Sequence, residues 1–246
     1  MDFSREQFDI IIQAGQSNSQ GCGLGPVAEP FAVDDRVWYL NDCLGIVPAK
    51  EQVGTEGPVA NFSLAFARDY IAAGWLAPGR KLLILRAAVG GTGFLDGRWG
   101  PSDDLFLQMM KMIETAMALN PANKPVALLW HQGETDAECD ATEQGHMANL
   151  IGLIAAVRAA CSNPELPFVA GDFVADWKGK NAAICEPVIL AIRAVCDEVG
   201  AAKFVETAEL ASNDQRIGNG DDIHFCREAL YALGRKYFAA FVGIVG

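Results

Sequence analysis

Positive charge is scarce in this sequence, and no run of basic residues occurs in it. Its 246 residues include 19 lysines and arginines against 31 aspartates and glutamates, which gives a formal net charge of −12 at pH 7. Because nucleic acids and anionic membranes are bound through clustered basic side chains, this composition argues against both as partners. The sequence also lacks an apolar run of the length that crosses a bilayer. We therefore predict neither a transmembrane helix nor a secretory signal peptide.

The sequence also lacks cysteines and histidines at the spacings that are typical of metal sites. Seven cysteines are present, an odd number, and no Cys-x-x-Cys pair occurs among them. The three histidines, His131, His146 and His224, include no His-Glu-x-x-His motif. A zinc site and a disulfide framework are therefore both disfavoured. We predict a cytoplasmic protein with reduced, buried thiols and no bound metal.

The sequence alternates short apolar runs with longer helical segments. Six runs have the composition of buried strands: residues 8–12, 36–40, 81–89, 125–131, 167–174 and 203–207. Five segments are predicted as helices: 57–74, 104–119, 142–160, 186–199 and 226–242. This alternation predicts an α/β fold, a three-layer α/β/α sandwich with a mostly parallel central sheet. The chain length predicts a single domain over residues 1–246.

Four segments with chemically useful side chains follow predicted strands or lie in a late loop. They are residues 15–18 (GQSN), 90–93 (GGTG), 131–134 (HQGE) and 220–224 (GDDIH). In a parallel sheet, reactive groups gather beyond the carboxyl ends of the strands. We therefore expect these four segments to converge on one edge of the sheet.

Each segment has an ordinary structural interpretation when it is taken alone. Ser17 fits the N-cap of a following helix. The 90–93 segment fits a tight turn, since it lacks the lysine of a P-loop and the spacing of a dinucleotide-binding loop. Asp221 and His224, three residues apart, fit a surface turn. Together, however, they supply a nucleophile, a base that takes its proton and a carboxylate that fixes the tautomer of the base.

The motifs resemble those of a known superfamily along nearly the whole chain. AGQSN (14–18), GGTGF (90–94), LLWHQGETD (128–136) and DDIHF (221–225) are similar to SGNH hydrolases, and within them to carbohydrate esterases of the sialate O-acetylesterase and acetylxylan esterase type. The resemblance implies a flavodoxin-like fold. It also implies a serine esterase that removes O-acetyl groups from a sialic acid or a xylan-type sugar through an acetyl-enzyme intermediate. The expected partner is a small-molecule or oligosaccharide acetyl ester, with no metal and no organic cofactor.

The same resemblance assigns catalytic roles to residues of this sequence. Ser17 is implied as the nucleophile, His224 as the base and Asp221 as the acid of the triad. The oxyanion hole would consist of the backbone N–H groups of Ser17 and Gly90 and the side-chain amide of Gln132. This glutamine stands where the superfamily usually has an asparagine.

Three further residues receive supporting roles from the resemblance: Asn18, Gly91 and Glu134. Gly91 is the adjacent candidate for the oxyanion donor assigned to Gly90. Glu134 either supports the histidine or orders the oxyanion loop, and we favour the first role.

Several alternatives compete with this hypothesis. An α/β-hydrolase is rejected because the G-x-S-x-G elbow is absent around Ser17 and because its acid does not lie three residues before its histidine. A lipase or thioesterase of the same superfamily would act on longer acyl esters. A non-catalytic sugar-binding module would keep the cleft without the triad. For a sialic acid substrate, Arg98 and Arg216 are the candidate cations that would bind its carboxylate, and both fit ordinary surface residues equally well.

Overall fold

A seven-stranded sheet forms the middle layer of the molecule. The computed structural model describes residues 3–55 and 57–246. Its strands are β1 (Gln7–Gly15), β2 (Val37–Leu40), β3 (Ile46–Pro48), β4 (Gln52–Gly54), β5 (Gly57–Val59), β6 (Arg80–Ala88), β7 (Lys124–His131), β8 (Phe168–Gly171) and β9 (Ala202–Val205). The sheet order is β3-β2-β6-β1-β7-β8-β9, and its neighbouring strands are parallel apart from the antiparallel pair β2 and β3. β4 and β5 form a separate antiparallel hairpin.

Helices cover both faces of the sheet. They are α1 (Ser17–Gln20), α2 (Phe62–Ala72), α3 (Asp104–Leu119), α4 (Glu134–Glu138), α5 (Glu143–Ala160), α6 (Ala175–Lys180), α7 (Ala182–Glu198), α8 (Asn213–Ile217) and α9 (Arg227–Val245). α2 packs against α9, and α5 packs against both α3 and α7. Within residues 3–55 and 57–246, none of the helices combines the length and the apolar character that a membrane span needs. The predicted three-layer α/β/α sandwich is confirmed.

The central strands are apolar because helices cover both of their faces. Strands buried on both sides are expected to be continuous apolar runs. Accordingly, residues 82–85 of β6 are fully buried, and residues 10–12 of β1 are at most 1% exposed. Asp9 is a charged residue inside β1, and its carboxylate is paired with Arg80 at 2.6 Å. A buried charge is tolerated in this core when it has a partner of opposite sign.

The start of α2 is the main local difference from the predicted elements. The sequence predicts a helix over 57–74, but residues 57–59 form β5 and the helix begins at Phe62. Gly57 has φ +114°, which is outside the helical region. Asn61 then caps the helix, because its Oδ1 accepts the N–H of Ser63 at 3.1 Å. The prediction was wrong for residues 57–61.

The carboxyl ends of β6, β1 and β7 lie level with one another. Gly15 pairs with Ala88 on one side and with His131 on the other. A Cβ atom at Gly15 would lie 2.1 Å from the carbonyl oxygen of His131, so only glycine fits where the chain leaves β1. From β1 the chain crosses toward β2, and from β6 it crosses in the opposite direction toward β7. A topological switch point, where open α/β sheets bind ligands, therefore lies between β1 and β6.

Candidate active site

Ser17 lies at this switch point, in the turn that follows β1. It is the first residue of α1, and the N-cap position belongs to Gln16. The N-cap interpretation of Ser17 is therefore wrong. Ser17 is 7% exposed. As the first residue of a helix, it has a backbone N–H without an acceptor inside that helix.

His224 and Asp221 form a hydrogen-bonded pair in the loop before α9. The Nδ1 of His224 lies 2.8 Å from Oδ1 and 3.0 Å from Oδ2 of Asp221. Asn213 holds the same carboxylate, because its Nδ2 donates to Oδ2 at 2.8 Å. The neighbouring Asp222 instead accepts a hydrogen bond from Lys180 Nζ at 2.7 Å. In a neutral His224, this arrangement places the proton on Nδ1 and leaves Nε2 as the acceptor.

Asn18 connects the turn of Ser17 to the loop of His224. Its Nδ2 donates to the carbonyl oxygen of Ile223 at 3.0 Å, and its Oδ1 accepts the N–H of Phe225 at 3.0 Å. Both chain neighbours of His224 are therefore hydrogen-bonded to the residue that follows Ser17. The structure thus brings the predicted serine and histidine segments together.

Glu134 supports this connection from the start of α4. It is fully buried, and burial raises the pKa of its carboxyl group. Its Oε1 accepts a hydrogen bond from Asn18 Nδ2 at 2.9 Å. No hydrogen bond joins Glu134 to His224 in the described part of the chain. Asn18 therefore provides the hydrogen-bonded link between Glu134 and the loop of His224.

Gly90 lies beside Ser17 across the switch point. A Cβ atom at Gly90 would lie 3.4 Å from the Cβ of Ser17. The backbone N–H of Gly90 donates to Gln20 Oε1 at 2.8 Å. Gly91 follows with φ +66°, a left-handed conformation that glycine adopts without strain. Two of the predicted oxyanion donors are thus adjacent, and the side chain of Gln20 occupies one of them.

Gln132 follows β7 and is held mainly by Asp136. Its Nε2 donates to Asp136 Oδ2 at 2.7 Å. Its other contacts are longer, 3.3 Å to the carbonyl oxygen of Thr92 and 3.5 Å to Gln16 Oε1. The same carboxylate accepts the backbone N–H groups of residues 94 and 95, so its position is fixed independently. One N–H of the Gln132 amide is therefore anchored, and the other makes only weak contacts.

The sequence interpretation did not identify Asp136 or Gln20 as parts of this site. Asp136 belongs to the LLWHQGETD motif, and an acidic residue two positions after Glu134 is a signal that could have identified it. Gln20 carries no such signal. Its contact with Gly90 arises only because α1 places the two residues next to each other.

His131 is a core histidine. It is fully buried, and burial lowers its pKa to about 3. Its Nδ1 lies 2.9 Å from the hydroxyl of Tyr237. Among the residues that the structure describes, no group of three or more His, Cys, Asp or Glu side chains could hold a metal ion. All seven cysteines are free; four are buried, whereas Cys43 and Cys139 are exposed, so the expectation of buried thiols was wrong for these two.

A family model described as carbohydrate esterase, sialic acid-specific acetylesterase, matches residues 7–243 of the chain. The chain belongs to this family. It is accordingly a carboxylic ester hydrolase that removes O-acetyl groups from carbohydrates, as its motifs predict. The matched range contains every candidate site residue described above.

Solved structures share the fold of this carbohydrate esterase. NanS is 16% identical, with 97% of each chain covered and a TM-score of 0.79. A protein from Arabidopsis thaliana is 19% identical, with 96% of this chain and 98% of that chain covered and a TM-score of 0.76. XAC1771, a carbohydrate acetylesterase from Xanthomonas citri, is 18% identical, with 96% of this chain and 56% of that chain covered and a TM-score of 0.63. No curated protein sequence matches the chain.

Proposed function

We propose that this carbohydrate esterase uses Ser17 as its nucleophile, His224 as its general base and Asp221 as the residue that orients the imidazole. The observation that carries the proposal is the position of Asn18, which joins the residue after Ser17 to both neighbours of His224 at 3.0 Å. Because Asp221 holds Nδ1 of His224 at 2.8 Å, Nε2 is the nitrogen left to receive the serine proton.

The reaction then consists of two acyl transfers. In the first, Nε2 of His224 takes the hydroxyl proton as Oγ of Ser17 attacks the acetyl carbonyl carbon. The same proton passes to the sugar oxygen, which leaves as an alcohol, and an acetyl-serine remains. In the second, His224 deprotonates a water that attacks the acetyl-serine, acetate leaves, and the proton returns to Ser17. Asp221 stabilises the imidazolium in both steps.

The negative charge that develops on the carbonyl oxygen needs hydrogen-bond donors. We assign this role to the backbone N–H groups of Ser17 and Gly90 and to Nε2 of Gln132. The acetyl oxygen takes the place of Gln20 Oε1 at Gly90 and of the Thr92 carbonyl oxygen, 3.3 Å from Gln132. Loss of one donor of this kind typically costs about 2.7–4 kcal/mol of transition-state stabilisation.

Trapping of the intermediate tests the nucleophile. Wild-type protein mixed with p-nitrophenyl acetate and quenched in acid is expected to carry one acetyl group on Ser17, detected by intact and peptide mass spectrometry. Ser17→Ala is expected to lose the adduct and to lower kcat by about 10⁴-fold or more. Ser19→Ala is the matched control, because Ser19 is a fully buried serine on the same helix whose hydroxyl has no hydrogen-bond partner among the described residues. An adduct on Ser17→Ala, or an equal loss in Ser19→Ala, would contradict the assignment.

The acyl group is tested in the same assay. Hydrolysis of p-nitrophenyl acetate is expected to exceed hydrolysis of p-nitrophenyl octanoate, because an acetylesterase needs no long apolar channel. Acetate release from O-acetylated sugars then shows whether the alcohol half of the ester is a sugar. Faster hydrolysis of the octanoate would favour a lipase or thioesterase instead.

A further inference from the structure

A cavity adjoins the candidate active site on the side of the sheet that contains β2. Its volume is about 680 Å³, and we call it the side cavity; its lining includes Gln20, Tyr39, Lys50, Glu51 and Arg86. The side chain of Gln20 also accepts the backbone N–H of Gly90 at 2.8 Å. The side cavity therefore begins next to Gly90, one of the proposed oxyanion donors.

Arg86, near the end of β6, is held in place in this cavity. Its Nη2 donates to the backbone carbonyl oxygen of Gln20 at 2.5 Å. The guanidinium carbon lies 4.9 Å from the centre of the Tyr39 ring, a cation–π distance. Two contacts thus fix the side chain, and neither of them supplies a negative charge.

No carboxylate of the described residues lies within ion-pair distance of Arg86, and its Nη1 is buried without a hydrogen-bond partner among them. Arg80, which is a buried arginine, differs in having a counter-ion, since it lies 2.6 Å from the carboxylate of Asp9. The guanidinium lines the side cavity, so an anion bound there would offset the free-energy cost of a partly buried positive charge that has no counter-ion. In a chain of net charge −12, an unpaired and half-buried guanidinium points to a ligand rather than to the stability of the fold.

The other charges of the side cavity leave it locally positive. Glu51 is neutralised by Arg227, whose Nη2 lies 2.7 Å from its carboxylate. Lys50 is exposed and has no ion pair in the described part of the chain. Asp42 is exposed at the cavity and accepts the N–H of the following residue. The site is thus built for an anionic group.

We propose that Arg86 binds the carboxylate of an acidic sugar whose acetyl group lies at Ser17. The inference rests on the proposed function, because it places the sugar of the ester in the side cavity. A guanidinium presents parallel N–H groups to a carboxylate, which gives both attraction and orientation. The arginines that the sequence suggested for this role are already paired at the surface. Arg98 binds Asp104 at 2.8 Å, and Arg216 binds Glu228 at 3.1 Å.

The experiment removes the negative charge of the sugar carboxylate in one arm and the positive charge of Arg86 in the other. Acetate release is measured with the methyl glycoside of 9-O-acetyl-N-acetylneuraminic acid, with the carboxyl methyl ester of the same compound, and with p-nitrophenyl acetate. We expect wild-type protein to prefer the free carboxylate by about 10- to 100-fold in kcat/KM, the range of a hydrogen bond to a charged group. Arg86→Gln is expected to lose this preference by a much larger factor than it loses activity on p-nitrophenyl acetate, whereas Arg86→Lys retains part of the preference.

Two variants control for the loss of one positive charge. Arg36→Gln removes an exposed arginine that is paired with Asp34 at 2.6 Å, and it is expected to keep the full preference. Arg98→Gln tests the rival residue, and a loss of the preference there would overturn the role of Arg86.

Three further outcomes would also overturn the inference. They are equal rates on the carboxylate and its methyl ester in wild-type protein, an unchanged preference in Arg86→Gln, and a parallel loss on all three esters in Arg86→Gln. The last would show that Arg86 acts only through Gln20 on the oxyanion donors. Failure of wild-type protein to hydrolyse p-nitrophenyl acetate would instead overturn the proposed function itself, and the inference with it.

Discussion

At the scale of single residues, two adjacent aspartates, Asp221 and Asp222, have different partners. Asp221 holds Nδ1 of His224 at 2.8 Å, whereas Asp222 is paired with Lys180 at 2.7 Å. The two carboxylates are one residue apart in sequence, yet only one of them touches the imidazole. A substitution of Asp222 is therefore a matched control for the same substitution of Asp221.

Asp221→Asn is expected to lower kcat by about 10⁴-fold, because an amide in this position favours the wrong tautomer of His224 and cannot stabilise the imidazolium. Asp222→Asn loses only an exposed ion pair, which is worth at most about 1 kcal/mol, and is expected to keep its activity. Steady-state kinetics on p-nitrophenyl acetate, with the melting temperature measured alongside, compares the two. If Asp222→Asn were the inactive variant, the acid of the triad would have to be reassigned.

At the scale of elements, Asn18 holds two loops together. Its three hydrogen bonds, to Ile223, Phe225 and Glu134, connect the end of β1 with the loop before α9 and the start of α4. Other hydrogen bonds support the same arrangement: Gln16 Oε1 accepts the N–H groups of Gly133 and Thr135, and Asn213 bonds the backbone of Cys22 and Leu24. Asn18 is nevertheless the side chain that contacts both chain neighbours of His224.

Asn18→Ala is expected to lower kcat by about 10²-fold and to change KM for p-nitrophenyl acetate little, because a small misplacement of a catalytic group is felt in the chemical step. Hydrogen exchange of the backbone amides in the 220–226 loop should become faster. Glu134→Gln keeps an oxygen acceptor for Asn18 and is expected to lose much less activity. Inactivation of Glu134→Gln as complete as that of Asp221→Asn would show that Glu134 is itself the acid of the triad.

The sequence predicts the long elements well and the short ones poorly. α3 extends over Asp104–Leu119 as predicted, because its apolar stripe and the following Asn-Pro mark its bounds. The β4–β5 hairpin and the one-turn helix α1 have no comparable period, and their positions depend on tertiary contacts. The same limit applies to the site. The motifs predict roles for Ser17 and Gln132. Nothing in the sequence distinguishes Arg86 from other strand residues, and its interest comes only from its position beside a cavity.

At the scale of the whole molecule, the buried histidine His131 makes the stability of the native state depend on pH. It is fully buried beside Tyr237, and its pKa is lowered by burial from 6.5 to about 3. The unfolded chain therefore binds a proton at this histidine below about pH 6.5, whereas the native protein does not bind one until about pH 3. Since the unfolded state holds more protons in this window, the histidine makes the native state less stable as the pH falls.

His131→Gln is expected to show a shallower loss of stability with acidification than the wild type, by up to about 1.4 kcal/mol per pH unit. Urea unfolding at several pH values within that window measures the slopes. Tyr237→Phe removes the partner of Nδ1 but keeps the buried histidine, so it should retain the wild-type slope. Identical slopes in the wild type and His131→Gln would mean that this histidine is not the group responsible.

The contact between Gln20 and Gly90 bears on how tightly the ester itself is held. In this structure the Gly90 N–H already donates to a neutral amide oxygen at 2.8 Å. An incoming ester carbonyl exchanges one uncharged acceptor for another, so the donor adds little to ground-state affinity. An oxyanion forms a charge-assisted bond about twice as strong, which Gln20 cannot match. In the proposed mechanism, the competing side chain therefore makes the Gly90 N–H selective for the tetrahedral intermediate, and we expect its contribution in kcat rather than in KM.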